Sequence, residues 1–212
     1  MGIKGGISLL GTSGMVEPMS EKALTDTIRL ELHQKHIAGL KSVILTPGNY
    51  GESFLRDELD VNLDYAVKCS NYIGESLDMA VQENIEEVLL VGHGGKLIKL
   101  AAGVMNTHSK YADCRTELMA LLALLTGAKV EVGKEIIDCP TTDEVVKILQ
   151  REGIFEEVIS GVTERIDFYM QHRVHGKIKT AALMFSNVYG ILGKTAAADE
   201  LIKLHLKDKQ EG

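Results

Sequence analysis

The sequence predicts an α/β fold, with a Rossmann-like, mostly parallel sheet, helices on both faces and a more helical C-terminal part. Apolar runs of strand length alternate with helical patterns along the chain, an order typical of parallel βαβ units. The content of 45% hydrophobic and 25% charged residues is ordinary for a globular protein. We expect residues 1–207 to form a single domain, followed by a polar tail at 208–212.

Five apolar runs have the length of buried strands. The fourth, Glu87–Val91, is the clearest, and the last leads through residues 186–190 towards a final helix from about Thr195. In chain order the predicted strands are Ile7–Leu10, Val43–Thr46, Tyr65–Cys69, Glu87–Val91 and Ala181–Phe185.

Helices are predicted between the strands from apolar spacing and from capping residues. Ser20 is a suitable N-cap for the first helix and Gly39 a stop, while Thr141-x-x-Glu144 forms a capping box with Gly153 beyond the helix end. The segment Arg115–Thr126 is apolar on nearly every side, which fits burial within the fold or a subunit contact, so a homo-oligomer is compatible with it. The predicted helices are Ser20–Ala38, Gly74–Asn84, one from Lys96, Arg115–Thr126, one after Thr141, and Phe155–His172.

Charge and cysteine content exclude several classes of protein. A formal net charge of -7 opposes general binding to nucleic acid or to an anionic membrane surface. The three cysteines are widely spaced and form no CxxC pair, which fits a reducing compartment. Since no segment approaches membrane-spanning length, we expect a cytoplasmic protein.

The segments that follow the strands combine glycine with hydroxyl or amide side chains. They read GTSG at 11–14, TPGNYG at 46–51, CSNYIG at 69–74, GHGGK at 92–96 and FSNVYG at 185–190. Turns after strands favour such residues in any case, but their recurrence after five strands favours a site for a nucleoside-like cofactor. The candidate cofactor-binding residues are Gly11, Thr12, Ser13, Gly14, Thr46, Gly48, Asn49, Ser70, Asn71, Gly92 and Gly94.

Standard nucleotide motifs are missing from these segments. GTSG is not GxGxxG, and the strand ending at Thr46 lacks the following acid that usually binds an adenosine ribose. GHGGKL lacks the first glycine and the Ser/Thr of a phosphate-binding P-loop. A conventional dinucleotide enzyme is therefore disfavoured, and an atypical nicotinamide-dependent reductase is kept as an alternative.

Two histidines are candidates for chemistry. His93 lies between glycines after the best strand, where it could act as a base or simply bond a neighbouring backbone group. His108, in Asn106-Thr107-His108-Ser109, has the same two interpretations. His172 and His175 have a spacing that permits a metal pair, but no third ligand is evident, so we predict no metal site.

Several segments together resemble one family, the cobalt-precorrin-5B C1-methyltransferases (CbiD type) of anaerobic cobalamin biosynthesis. The most specific stretch is GHGGKLIKLAAGVMNTHSKYAD. The matching segments are GGISLLGTSGMVEPMS at 5–20, LTPGNYG at 45–51, KCSNYIGESLD at 68–78, VLLVGHGGKLIKLAAGVMNTHSKYADCRTE at 88–117 and FSNVYGILG at 185–193. Members of this family are usually considerably longer and carry an N-terminal motif of the GTCAAAA kind, so the chain resembles the C-terminal half alone.

The resemblance implies transfer of a methyl group from S-adenosylmethionine to carbon 1 of a cobalt-containing tetrapyrrole. Under this interpretation His93 or His108 would act as a base on the macrocycle. Lys96, Lys99 and Arg115 would bind the carboxylates of the substrate. A second interpretation is a non-catalytic module that binds cofactor or corrinoid and needs the missing N-terminal half as its partner.

Overall fold

The computed structural model describes residues 20–207, so the predicted strand Ile7–Leu10 and the loop Gly11–Gly14 lie outside the described residues. The strands are β1 (Ser42–Thr46), β2 (Ala66–Lys68), β3 (Glu87–His93), β4 (Lys179–Ser186) and β5 (Gly190–Lys194). The helices are α1 (Glu21–Ile37), α2 (Asn49–Glu58), α3 (Ile73–Gln82), α4 (Gly94–Leu100), α5 (Arg115–Leu125), α6 (Val130–Ile137), α7 (Thr142–Glu152), α8 (Phe155–Val174) and α9 (Ala198–Leu204).

The described strands form one sheet in the order β2-β1-β3-β4-β5. β1 pairs in parallel with both β2 and β3, and β3 pairs in parallel with β4. β5 returns antiparallel to β4 through a tight connection, with an irregularity between Met184 and Phe185. The mostly parallel α/β sheet predicted from the sequence is confirmed.

Each face of the sheet is covered by helices, because successive strand residues point to opposite sides. Val43 and Leu45 of β1 belong to the larger core, which also buries side chains from α1 and α3 to α8. Ile44 lies in a smaller core on the other face, where it packs with Leu55 of α2 and Leu201 of α9. This arrangement confirms helices on both faces.

The predicted helix ends are formed by the expected residues. The Ser20 hydroxyl accepts a hydrogen bond from the Ala23 amide at 3.2 Å, and the chain leaves α1 through Gly39 at φ 82°. At α7 the Thr141 hydroxyl accepts from the Glu144 amide at 3.3 Å, and Gly153 closes the helix in the left-handed region. The Ser20 and Thr141 hydroxyls thus each pair an amide that the first turn of their helix leaves without a backbone partner.

Four local features differ from the sequence prediction. α2 and α6 are helices where none was predicted, and β5 lies where a direct connection to the last helix was expected. The predicted GHGGK loop is no loop, because β3 continues to His93 and α4 begins at once with Gly94.

The apolar helix α5 is buried on one side only. Met119 and Ala123 are fully buried, whereas Leu121 and Leu125 are 53% and 74% exposed. Burial of the helix within the fold, one of the two interpretations of its sequence, is therefore only partly observed among the described residues, and the subunit contact stays a prediction. Between residues 20 and 207, no helix has the combination of length and apolar content that would let it cross a membrane.

Candidate functional site: a cleft between two strands

A crevice opens at the carboxyl ends of β1 and β3, where the chain changes direction across the sheet. From β1 the chain passes by α2 to β2 on one side, and then crosses back to β3 on the other. The segment after β1 leads to α2 on the smaller core, while the segment after β3 enters α4 on the larger core. Adjacent strands whose connections diverge in this way form the usual ligand crevice of an open α/β sheet.

This crevice contains a cavity of about 340 Å³, a volume at the lower end of the range for small-molecule sites. We call it the switch cleft. Its lining combines backbone from glycines with one cationic, one imidazole and one amide side chain. The lining residues are Pro47, Tyr50, Gly51, Gly92, His93, Gly95, Lys96 and Asn187.

Gly92 is required at the floor of the switch cleft by the space around it. A Cβ atom at this position would overlap Leu97 Cδ1 and would lie 2.8 Å from Pro47 Cγ. Leu97 is fully buried, so it cannot move away into solvent. The glycine thus lets the β3–α4 junction pack directly against the end of β1.

His93 lines the switch cleft as the N-cap of α4. Its Nδ1 accepts a hydrogen bond of 3.0 Å from the Gly95 amide, and its ring meets Phe185 edge-on with centroids 5.7 Å apart. Burial lowers the pKa of the imidazole from its ordinary value of 6.5, Asp143 raises it, and Arg115 lowers it again. With burial as the largest cause, the neutral form is favoured.

Lys96 extends from the first turn of α4 into the same cleft. Its Nζ lies 3.5 Å from the Ser70 carbonyl and is 3.7 Å from the position that a Gly48 Cβ would occupy. Burial lowers the pKa of this ammonium group, the neighbouring Cys69 raises it, and Lys99 lowers it. The Cys69 thiol is itself buried, and its pKa is raised to about 12, so it is not a reactive thiolate.

The other two predicted substrate-binding cations are engaged elsewhere. Lys99 is 4% exposed and its ammonium donates to the carbonyls of Thr107 and Ala112, at 3.3 and 2.9 Å. Arg115 forms a two-point ion pair with Asp113, with contacts of 2.7 and 2.5 Å. Lys99 therefore organises the loop before α5, and the charge of Arg115 is compensated beside the cleft.

The predicted candidates after β2 contact α4 and the loop that follows it. Asn71 accepts from the Thr107 amide at 3.0 Å through its carbonyl, and its side-chain oxygen accepts from the Thr107 hydroxyl at 3.2 Å. Ser70 has a positive φ of 52° and directs its carbonyl at Lys96. His108 is exposed in this second loop, where its Nδ1 accepts from the Lys110 amide. Unlike His93, His108 is not among the residues that line the switch cleft.

The candidates after β1 are held close to the switch cleft. Gly48 has φ 122°, a conformation that favours glycine, and it precedes Asn49, the exposed first residue of α2. Thr46 is fully buried, and its hydroxyl has no hydrogen-bond partner among the described residues. The backbone carbonyl of Thr46 accepts from the amides of Gly48 and Cys69, both at 3.0 Å.

Some cleft residues were not among the predicted site residues. Tyr50 and Asn187 lie within the glycine-containing segments quoted above, and their position there is the signal that could have identified them. They also line an adjoining cavity of about 350 Å³ that carries Asp57 and Glu58. Asp143, which raises the pKa of His93, accepts a hydrogen bond of 2.7 Å from the Ser186 hydroxyl. It lies in α7, far along the chain from the glycine-containing segments, so no sequence pattern identified it. Gly11, Thr12, Ser13 and Gly14 lie outside the described residues and stay predictions.

Comparison with known proteins identifies relatives along the whole chain. A cobalt-precorrin-5B C(1)-methyltransferase of Ruminiclostridium cellulolyticum is 43% identical over 217 residues, which cover 100% of this chain and 56% of that relative. Proteins with the same name from Alkaliphilus metalliredigens and Methanocaldococcus jannaschii are 37% and 38% identical, and the alignments cover 96% and 91% of this chain. They cover 54% and 53% of those relatives, so the chain spans about half their length.

Two further comparisons complete the assignment. No solved structure matches the chain. Residues 106–196 match the family model described as the CbiD C-terminal domain. The resemblance predicted from the sequence is thus confirmed: residues 106–196 match the CbiD C-terminal domain model, and the chain as a whole is similar to the cobalt-precorrin-5B C(1)-methyltransferases.

Proposed function

We propose that this chain provides part of an S-adenosylmethionine-dependent methyltransferase that converts cobalt-precorrin-5B to cobalt-precorrin-6A in anaerobic cobalamin biosynthesis. The observation that carries the proposal is the similarity, over the whole chain, to proteins bearing that enzyme name. The switch cleft supports it, because it lies where open α/β sheets bind their ligands.

The chemistry of methyl transfer fits the residues of the cleft. The sulfonium of S-adenosylmethionine supplies an activated methyl group, so the protein needs no covalent nucleophile. Its task is to align the two reactants and to keep water away. Gly92 and Gly95 admit a ligand close to the backbone, and Tyr50 and Asn187 provide an aromatic ring and an amide at the rim.

The share of the relatives that this chain covers bears on where catalysis occurs. Because the alignments leave almost half of each relative uncovered, we propose that turnover also requires residues equivalent to that uncovered part. The chain alone would then act as the module that binds cofactor or corrinoid. The relatives give no support to a nicotinamide-dependent reductase.

Calorimetric titration tests the proposed cofactor. S-adenosylhomocysteine should bind the folded chain with 1:1 stoichiometry, and NADPH serves as a control ligand that should not bind. A second titration would include the part of a relative that this chain does not cover, added as a separate polypeptide. Absence of binding in both titrations would contradict the proposal, as would tight binding of NADPH.

Measured turnover separates the two forms of the proposal. Methyl transfer to the corrinoid should appear when the uncovered part is added, and each polypeptide alone should be inactive. Full activity of this chain alone would show that it contains the complete catalytic machinery. Turnover only in the mixture would favour the module that needs the uncovered part, and binding without turnover in the mixture would contradict the proposed methyltransferase.

A further inference from the structure

The hydrogen bond at the start of α4 assigns the tautomer of His93. Nδ1 accepts from the Gly95 amide at 3.0 Å, so in the neutral ring it carries a lone pair and the proton lies on Nε2. For this histidine to take a proton at Nε2, it would first have to move its existing proton to Nδ1, and that would break the cap. As a member of the cleft lining, His93 therefore offers a hydrogen-bond donor.

Lys96 offers the second donor. It is half-buried, its contact with the Ser70 carbonyl is long at 3.5 Å, and no carboxylate of residues 20–207 lies within ion-pair distance of it. A half-buried ammonium group without a counter-ion is costly, and burial already lowers its pKa. Lys99 and Arg115, by contrast, make shorter hydrogen bonds within the protein, at 2.9 Å to the Ala112 carbonyl and at 2.7 Å to the Asp113 carboxylate.

We infer that the switch cleft binds a carboxylate group of its ligand, which the Lys96 ammonium and the Nε2–H of His93 hold together. This inference deepens the proposed function, since S-adenosylmethionine and a precorrin both carry carboxylates. With a neutral His93 and with Arg115 compensated by Asp113, the cleft has one uncompensated positive charge among its described residues. One positive charge matches a monoanionic carboxylate better than a dianionic phosphate group.

The same geometry makes His93 a binding residue in the proposed enzyme. A donor fixed by its N-cap bond keeps the ligand in one orientation, whereas a base needs a free lone pair facing the proton it removes. The general base suggested by the sequence would then be another group. Charged hydrogen bonds of this kind contribute enough that loss of the Lys96 ammonium should weaken carboxylate binding about 10-fold or more.

A titration with acetate tests the site without a cofactor or corrinoid. The probe is followed by ¹⁵N and ¹H NMR of the His93 ring and the Lys96 Nζ in the folded chain, with chloride at equal ionic strength as reference. A saturable shift is expected in the wild type and in Lys96→Arg, and none in Lys96→Met. Lys41→Met removes the same charge at the opposite end of β1 and should bind acetate normally.

Two substitutions at His93 separate a donor from a base. His93→Gln places an amide N–H near the Nε2 position and should keep acetate binding within a few-fold, while His93→Asn keeps the capping oxygen and should lose it. The ¹⁵N shifts of the wild-type ring should show protonation at Nε2. No saturable acetate shift in the wild type, equal binding by Lys96→Met, or protonation at Nδ1 would overturn the inference.

A third set of titrations identifies which ligand supplies the carboxylate. S-adenosylhomocysteine carries one, and 5′-methylthioadenosine has the same adenosine and thioether without it. If the cofactor supplies the carboxylate, Lys96→Met should weaken the binding of S-adenosylhomocysteine and leave that of 5′-methylthioadenosine unchanged. If the corrinoid supplies it, Lys96→Met should instead weaken the binding of uroporphyrin, a tetrapyrrole that carries carboxylates. Wild-type binding of acetate without binding of any of these three, also after the uncovered part of a relative is added, would contradict the proposed function and leave the carboxylate site standing. Binding of the larger ligands unaffected by Lys96→Met would contradict the carboxylate site alone.

Discussion

Substitution of Gly92 by alanine tests whether the β3–α4 junction is packed as tightly as its contacts indicate. The added Cβ would overlap Leu97 Cδ1 and would stand 2.8 and 3.1 Å from two carbons of Pro47. Carbon atoms at rest are about 3.5–4.0 Å apart, and both neighbours are buried. Overpacking of this kind typically costs about 1–3 kcal/mol of unfolding free energy.

Urea denaturation followed by circular dichroism measures this cost. We expect the midpoint of Gly92→Ala to fall with an unchanged slope, since the surface exposed on unfolding stays nearly the same. Gly161→Ala is the matched control: in α8 its Cβ would lie 3.2 Å from Leu122 Cδ2, the far end of a partly buried side chain. Alanine in a helix interior gains about 1 kcal/mol over glycine, so this control should be neutral or stabilising.

A double-mutant cycle makes the reasoning refutable. Leu97→Ala alone should cost about 2–5 kcal/mol through the cavity it leaves. Combined with Gly92→Ala, it removes one of the two overlaps, and the added methyl fills part of the space. The double variant should therefore lose clearly less than the sum of the single variants. Additive losses, or a Gly92→Ala protein as stable as the wild type, would show that the junction relaxes without cost.

Three other changes have defined outcomes. Burial lowers the pKa of His93 in the folded state below its ordinary value of 6.5. The stability that the neutral ring contributes is therefore present above pH 6.5 and is lost as the pH falls through the pKa of the folded state. His93→Asn caps the helix without titrating, so its urea midpoint should decline less steeply below pH 6.5. Ser186→Ala removes a buried hydroxyl that donates to Asp143 and accepts from two amides, and it should lower the unfolding free energy by about 1–3 kcal/mol. The control Ser160→Ala, at an exposed position, should cause no measurable change. Equal effects of the two substitutions would contradict a stabilising role of the Ser186 hydroxyl. Lys99→Met leaves two carbonyls unpaired and should increase the rate of proteolysis within residues 101–114, and an unchanged cleavage pattern would show that this lysine does not hold the loop.

The sequence predicts the parts of this fold that depend on local signals. α1 and α7 begin at side-chain caps, and the strands that became β1 and β3 are continuous apolar runs. α6 escaped prediction because its eight residues, VEVGKEII, are rich in β-branched side chains and include a glycine. β5, with two glycines in five residues, becomes a strand only because β4 lies beside it.

The sequence predicts which segments contribute to the candidate site, but it does not predict which of those segments lie next to each other. That β1 and β3 are neighbours, and that their connections diverge, follows from strand order, which no local pattern reveals. Lys96 and Lys99 are three residues apart on one short helix and looked equivalent. Lys99 is buried against backbone carbonyls and Lys96 faces the cleft, a difference that tertiary packing alone decides.

The two walls of the switch cleft belong to opposite layers of the molecule. Pro47 leads into α2, which is anchored in the smaller core, whereas Lys96 stands on α4, which is anchored in the larger one. A ligand that contacts both walls links the helices on one face of the sheet to those on the other, and so restrains the motion of the two layers relative to each other. Hydrogen exchange should consequently slow on both faces together when the cleft is filled, even at amides that the ligand never touches.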